Sequence, residues 1–185
     1  MRYSFFLFLA GYLCAQPAPA NRLTFSGGWS RQIGGYAIEH PTATGLGISY
    51  GFRAQKHIEL EVGLFTALHP SPDLCYAYGC TEVDDRFFWV PFGVRLIEPL
   101  LNGRLELSAG GGGLHENYSL SNSASLPTGA RSYSGWGGYF AGGAALALDR
   151  SRHWWLGATP RWFLANPQYG RDRWFQLSGE LSFRF

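Results

Sequence analysis

Apolar and polar residues alternate with a period of two along most of this chain, most plainly at its end. From Phe175 to Phe185 the odd positions are Phe175, Leu177, Gly179, Leu181, Phe183 and Phe185. The even positions are Gln176, Ser178, Glu180, Ser182 and Arg184. Such alternation predicts a β-strand with one apolar and one polar face. The same pattern predicts seven earlier strands. Leu23, Phe25, Gly27 and Trp29 mark the first; Leu46, Ile48, Tyr50 and Phe52 the second; Ile58, Leu60, Val62 and Leu64 the third. Phe88 to Leu96 forms the fourth and Leu105, Leu107 and Ala109 the fifth, running into Gly110 to Gly113. Trp136 to Leu148 is the sixth and Trp154 to Leu164 the seventh.

The connections alternate as well. Ala54 to Lys56, Glu98 to Gly103 and Asp149 to Arg152 are short. Gln32 to Thr42, His69 to Arg86, Glu116 to Tyr133 and Ala165 to Asp172 are longer. An even strand number with every second link short is the pattern of a transmembrane up-and-down barrel, and a soluble sandwich has no reason to show it. The fold class expected is therefore all-β: an eight-stranded antiparallel transmembrane up-and-down β-barrel. Pro91 and Pro160 fall inside strands, each removing a ladder donor, and are expected to mark bulges. The glycines of the fifth and sixth strands are read as room for bulky interior neighbours such as Trp89 and Phe65.

Composition agrees with this picture. Hydrophobic residues make up 46% of the 185 residues, yet mean hydropathy is only -0.10, as alternation requires. No apolar run reaches the roughly 20 residues of a membrane-spanning helix. Charged residues are 15% and the formal net charge is +2, which gives no nucleic-acid footprint. Arg2, the apolar run Phe5 to Leu13 and the small residues Ala18-Pro19-Ala20 read as a secretory signal over residues 1–20, leaving residues 21–185 as the barrel domain. Cleavage near Ala15 is the alternative. Cys75 and Cys80, in an exported chain, read as a disulfide closing a small loop. No metal or cofactor site is expected, because no His or second Cys pair stands near them at zinc spacing.

The terminal strand, with its aromatic ends and final Phe, resembles the C-terminal strand of bacterial outer-membrane barrels. As a whole the chain resembles the small OmpA/OmpX-type outer-membrane barrels. That resemblance implies a bacterial outer-membrane location reached through the periplasm, and Phe185 as the signal read by the barrel-insertion machinery. The outward aromatics Trp29, Phe88, Trp136, Trp162 and Phe175 are expected at the outer rim. Phe52, Trp154, Phe183 and Phe185 are expected at the periplasmic rim. Strand phase puts Glu59, Glu61, Arg95, Arg104, Glu106, Arg161, Glu180 and Arg184 inside. In so narrow a lumen these charges should pair and plug it.

Two groups of small outer-membrane barrels act on the acyl chains of lipid A. The hydrolases would require a His-x-Ser element with a carboxylate on the lipid-facing surface, and this chain is expected to carry none. For an acyltransferase, His115 with Glu116 is the candidate. A non-enzymatic surface barrel is the preferred reading. Its expected partners are outer-membrane lipid and lipopolysaccharide, with Arg131, Arg171 and Arg173 as candidate phosphate contacts. A narrow apolar channel is disfavoured by the alternating Glu and Arg.

Overall fold

In the computed structural model, which describes residues 21–34, 42–68, 73–76, 79–122, 131–167 and 172–185, the alternating segments pair into one antiparallel sheet that closes on itself. The strands are β1 (Asn21–Gly34), β2 (Thr42–Gln55), β3 (Ile58–Leu68), β4 (Asp73–Tyr76), β5 (Gly79–Leu100), β6 (Leu105–Asn122), β7 (Arg131–Ala147), β8 (Trp154–Pro167) and β9 (Asp172–Arg184). The short β4 pairs only with the start of β5, while β3 pairs directly with β5. Eight strands therefore form the cylinder, and β4 is an arm outside it. The last seam lies between β1 and β9, where Asn21 and Phe185 exchange both backbone hydrogen bonds at 2.9 and 3.0 Å. Closure matters because an open edge in hydrocarbon leaves backbone donors and acceptors unpaired.

Strand ends differ from the sequence reading. β5 begins at Gly79, nine residues before Phe88, and runs 22 residues. Polar residues such as Thr81, Asp84 and Asp85 hid this extension, since they break the apolar count without breaking the ladder. The last long link also shrinks, because β8 and β9 leave only residues 168–171 between them. Short turns still join β2 to β3, β5 to β6 and β7 to β8, so these share one end.

The prolines do not make bulges. Pro91 stays in register with Leu114, and Pro160 with Leu177. On the other side the β3–β5 ladder passes from Val62↔Phe92 to Phe65↔Trp89, and the β7–β8 ladder from Ala141↔Arg161 to Ala144↔Ala158. The residue sums stay constant across both gaps, so each proline costs local pairing and no shift. The irregularities lie instead at Gln32/Gly34 and Arg53/Gln55, near strand ends.

Burial alternates along each strand, as in β3, where even-depth positions are buried and their neighbours exposed. Phe25, Leu46, Ile48, Leu60, Val62, Leu64, Phe92, Val94, Leu156, Leu177 and Leu181 all lie exposed on the outside. An apolar belt that encircles the molecule suits hydrocarbon and not water. On β9, eight residues separate Phe175 from Phe183, roughly 27 Å of strand. A tilt of about 40° reduces that to roughly 20 Å along the axis, close to the height of an apolar band.

The turn between β7 and β8 is tied by Asp149. Its carboxylate accepts a hydrogen bond from the Ser151 hydroxyl, and others from the backbone N–H of Trp154 at 2.9 Å and of His153 at 3.2 Å. These donors, Ser151 first, hold the Asp149 carboxyl down at about 2, against an ordinary 3.8. The folded value is depressed, so the turn's contribution is complete above pH 3.8 and fades as pH falls towards 2. A carboxyl-carbon NMR titration should therefore give Asp149 a midpoint near pH 2. Ser151→Ala should move it upward, and an ordinary midpoint in the native chain would show that the turn is not so bonded.

Candidate functional site

The inward residues divide the lumen into two storeys. Towards the long connections lies an aromatic plug. Phe65, Phe87, Trp89, Phe163, Trp174 and Leu114 are buried together, with Tyr118 packed against them. Trp89 stacks on Phe163 with centroids 4.7 Å apart and interplanar angle 7°. Phe87 meets Trp174 at 4.7 Å and Tyr118 at 4.6 Å. Glu116 enters this storey, where the Trp89 indole N–H donates to its Oε2 at 2.6 Å.

Room for Phe65, and for two polar side chains beneath it, comes from glycine. A Cβ at Gly47 would run into the Phe65 ring, one at Gly45 into the Gln176 amide, and one at Gly51 into the Glu59 carboxylate. Three glycines on β2 thus face three large side chains from β3 and β9. Contrary to the expectation for the glycine-rich strands, Phe65 takes its room from Gly47 and Gly63, while a Cβ at Gly110 or Gly112 would meet the backbone of β5 and one at Gly113 the outward Phe92 ring.

Below the plug lies an ionic storey. Arg95 holds Glu61 with two parallel bonds, Nε to Oε2 at 2.8 Å and Nη2 to Oε1 at 2.9 Å. Arg22 pairs with Glu59, and Arg161 with Glu180. Glu106 receives Arg184 on Oε2 and Arg53 on Oε1, the latter at 3.3 Å. Glu106 lies on β6 while Arg53 and Arg184 lie on β2 and β9, so this triad ties facing walls. Arg161 also lies over the Phe65 ring at 4.5 Å, joining the storeys, and Arg184 lies over Trp155 at 4.2 Å near the floor.

Of the eight lumen residues read from strand phase, seven are gathered here. Arg104 is not. It is exposed in the turn after Gly103, where the chain leaves strand geometry (φ -89°, ψ -25°) and the two-residue count loses its meaning. Arg22 and Arg53 take part instead. Arg22 has the parity of Thr24 and Ser26, so extending that count by one step back would have found it. Arg53 shares the inward parity of Ser49 and Gly51 and pairs in register with Glu59 just before the shift to Gln55, so one step forward along the same count would have found it.

His115 and Glu116 are separated. His115 faces outward against Trp136, with centroids 4.7 Å apart, whereas Glu116 is 1% exposed inside. Consecutive strand positions point to opposite faces, so they cannot share a substrate. The sequence does contain one His-x-Ser element, His69-Pro70-Ser71, in the β3–β4 connection and outside the described residues. It lies on no described lipid-facing strand. Among the described residues no group of three or more His, Cys, Asp and Glu side chains could hold a metal.

At the outer rim, Trp29, Phe175, Trp162 and Phe140 form a row across β1, β9, β8 and β7. Adjacent centroids are 6.1, 4.9 and 4.7 Å apart. Phe88 and Trp136 are exposed on the same side of the belt. At the opposite rim Trp154 meets Phe183 at 4.8 Å, Phe183 meets Phe185 at 5.9 Å, and Phe52 is exposed. Cys75 and Cys80 are direct backbone partners in the β4–β5 hairpin, but their side chains lie outside the described residues. The same holds for the side chain of Arg131, for Arg171, and for residues 1–20.

No protein-family model and no curated protein matches this chain. Solved structures do. Neisserial surface protein A superposes with a TM-score of 0.66 at 12% identity, over 90% of this chain and 97% of that one. The N-terminal barrel domain of Pseudomonas aeruginosa OprF gives 0.62 at 11% identity, over 92% and 100%. Ail of Yersinia pestis, in complex with the heparin analogue sucrose octasulfate, gives 0.56 at 11% identity, over 90% and 100%.

The ion pairs should show in stability. Glu61→Gln, which leaves the Arg95 guanidinium buried without its carboxylate, should cost about 3–5 kcal/mol in urea unfolding from vesicles. Joining it to Arg95→Met should recover most of that loss. Additive losses in the double variant would mean the two side chains do not interact. At this level of identity the likeness is one of architecture, and this chain has the fold of the small eight-stranded outer-membrane β-barrels.

Proposed function

We propose that the protein is an integral outer-membrane barrel without enzymatic chemistry, whose lumen is plugged and whose work is done at its rims. The observation that carries this reading is the filled interior. Trp89, Trp155, Trp174, Phe65, Phe163 and Arg161 are all less than 2% exposed, and Phe87, Leu114, Tyr139, Gln176 and the paired charges are buried among them. A bore of eight strands holds little beyond its own side chains. Aromatic packing above and bidentate pairing below oppose passage of ions and of apolar solutes alike.

Lipid and outer-leaflet lipopolysaccharide are the partners this surface suits, with the long connections presented outside. The rim aromatics support a fixed depth in the bilayer. A disulfide between Cys75 and Cys80 would staple the β4–β5 arm, and their cross-strand register supports it.

Planar-bilayer recording of the refolded chain should give no sustained conductance steps. Trp89→Ala with Trp174→Ala, which empties the plug, should introduce leak. Stable steps from the unaltered protein would overturn the plugged reading. Mass spectrometry of lipid A from cells with and without the protein should show no change in acyl chains. Loss or gain of one chain would favour an enzyme instead.

A further inference from the structure

The outward face of the β1–β9 seam carries two arginines just above the aromatic row. Arg31 follows Trp29 on the outward parity of β1 and is directly opposite Phe175 of β9. Arg173 is two residues above Phe175 on the same face of β9 and stands opposite Gly34. Both are exposed, and neither has an ion-pair partner among the described residues.

Local geometry favours the pair. The ladder shifts between Gln32 and Gly34, which makes Ile33 the extra residue and brings Gly34 beside Arg173. A Cβ at Gly34 would stand 3.3 Å from Arg173 Cδ and 3.7 Å from its Cβ and Cγ, so the bare glycine is where the arginine stem lies. The two stems therefore flank Phe175, itself held between Trp29 and Trp162. Long cationic side chains lay their methylenes on apolar surface and lift their heads to the polar boundary. Here that boundary is the headgroup level of the outer leaflet, because the aromatic row marks the edge of the hydrocarbon.

We propose that Arg31 and Arg173 form a phosphate-binding clamp for a phosphorylated glycolipid of the outer leaflet, whose acyl chains lie along the Trp29–Phe175–Trp162 surface below. This rests on the outer-membrane reading above and adds a ligand and its location. Two planar guanidinium groups without ion-pair partners among the described residues match a phosphate monoester, which offers several oxygens to each. The aromatic surface beneath distinguishes a lipid from a soluble anion, since only a lipid brings apolar chains to the same place.

Native mass spectrometry of the full chain, refolded and extracted in mild detergent, tests the clamp with lipid A as probe. The unaltered protein should retain lipid A, and the Arg31→Gln/Arg173→Gln double variant should bind it about thirtyfold more weakly. Arg150→Gln, in the exposed turn at the far end, should bind as the unaltered protein does. Chemically dephosphorylated lipid A should be retained as poorly by the unaltered protein as lipid A is by the double variant. Equal retention by the double variant, or indifference to the phosphates, would overturn the clamp. So would sucrose octasulfate binding that needs both arginines while lipid A binding does not, because the site would then serve a soluble polyanion. A cold-gel shift reporting folded barrel accompanies every sample. Failure to fold into vesicles would count against the membrane barrel itself, and a folded barrel indifferent to phosphate would count against this clamp alone.

Discussion

Hydrocarbon offers the backbone no hydrogen-bond partner, so the sheet has to close, and closing at eight strands sets how much can lie inside. Most features of the chain follow from those two conditions. The interior takes Phe65, Gln176 and Glu59 because facing positions are glycine, Gly47 and Gly63 beside Phe65, Gly45 beside Gln176 and Gly51 beside Glu59. Glycine weakens a free strand by giving up side-chain packing. In a cylinder paired on both edges that loss is offset, since the ladder is held by its neighbours and the vacant volume is filled from across the bore.

The ionic storey obeys a different arithmetic. A buried ion pair adds little net stability over well-packed apolar residues, but removing one member leaves a costly bare charge. Such pairs therefore favour one arrangement over its neighbours. Arg95 and Glu61 lie on β5 and β3, the two strands that meet directly while the chain between them runs out through β4. Arg22 reaches Glu59 past the intervening β2, and Glu106 takes arginines from β2 and β9. A slip of one residue in any of these strands would turn its charge into lipid. The network thus fixes register where connectivity alone does not.

This division explains what could be read without coordinates. Period two is a property of the strand, so faces are legible wherever a residue lies inside one, as with Glu61, Arg95, Arg161 and Glu180. The count fails where strand geometry ends. Arg104 was counted as inward across a turn in which Leu101, Asn102 and Gly103 all take positive φ. Arg53, the last position of β2 before its register shift, keeps the inward parity of Gly51 and was legible by the same count. The start of β5 was missed for another reason: beyond the hydrocarbon a strand no longer needs an apolar face, so its sequence stops announcing it. Pairings across the lumen, such as Arg184 with Glu106, depend on closure geometry and leave no local trace. His115 and Glu116 are divided by the wall because β6 continues through them to Asn122, and consecutive strand positions face apart.

The same wall directs where activity can lie. Backbone groups in the belt are committed to the ladder, and the charges inside are largely committed to one another. Rings above them exclude solvent from one end, while Trp155 and the Glu106 triad narrow the other. Chemistry that remains uncommitted is therefore found where strands leave the hydrocarbon. On the described surface the cations at the outer end stand over aromatic rings facing lipid. Those at the turn end, Arg104, Arg150 and Arg152, stand in exposed turns beside the second aromatic rim of Trp154, Phe183 and Phe185. With the ladder closed and the inner charges paired, the exposed cations and rings at the strand ends are the groups left to meet the surroundings.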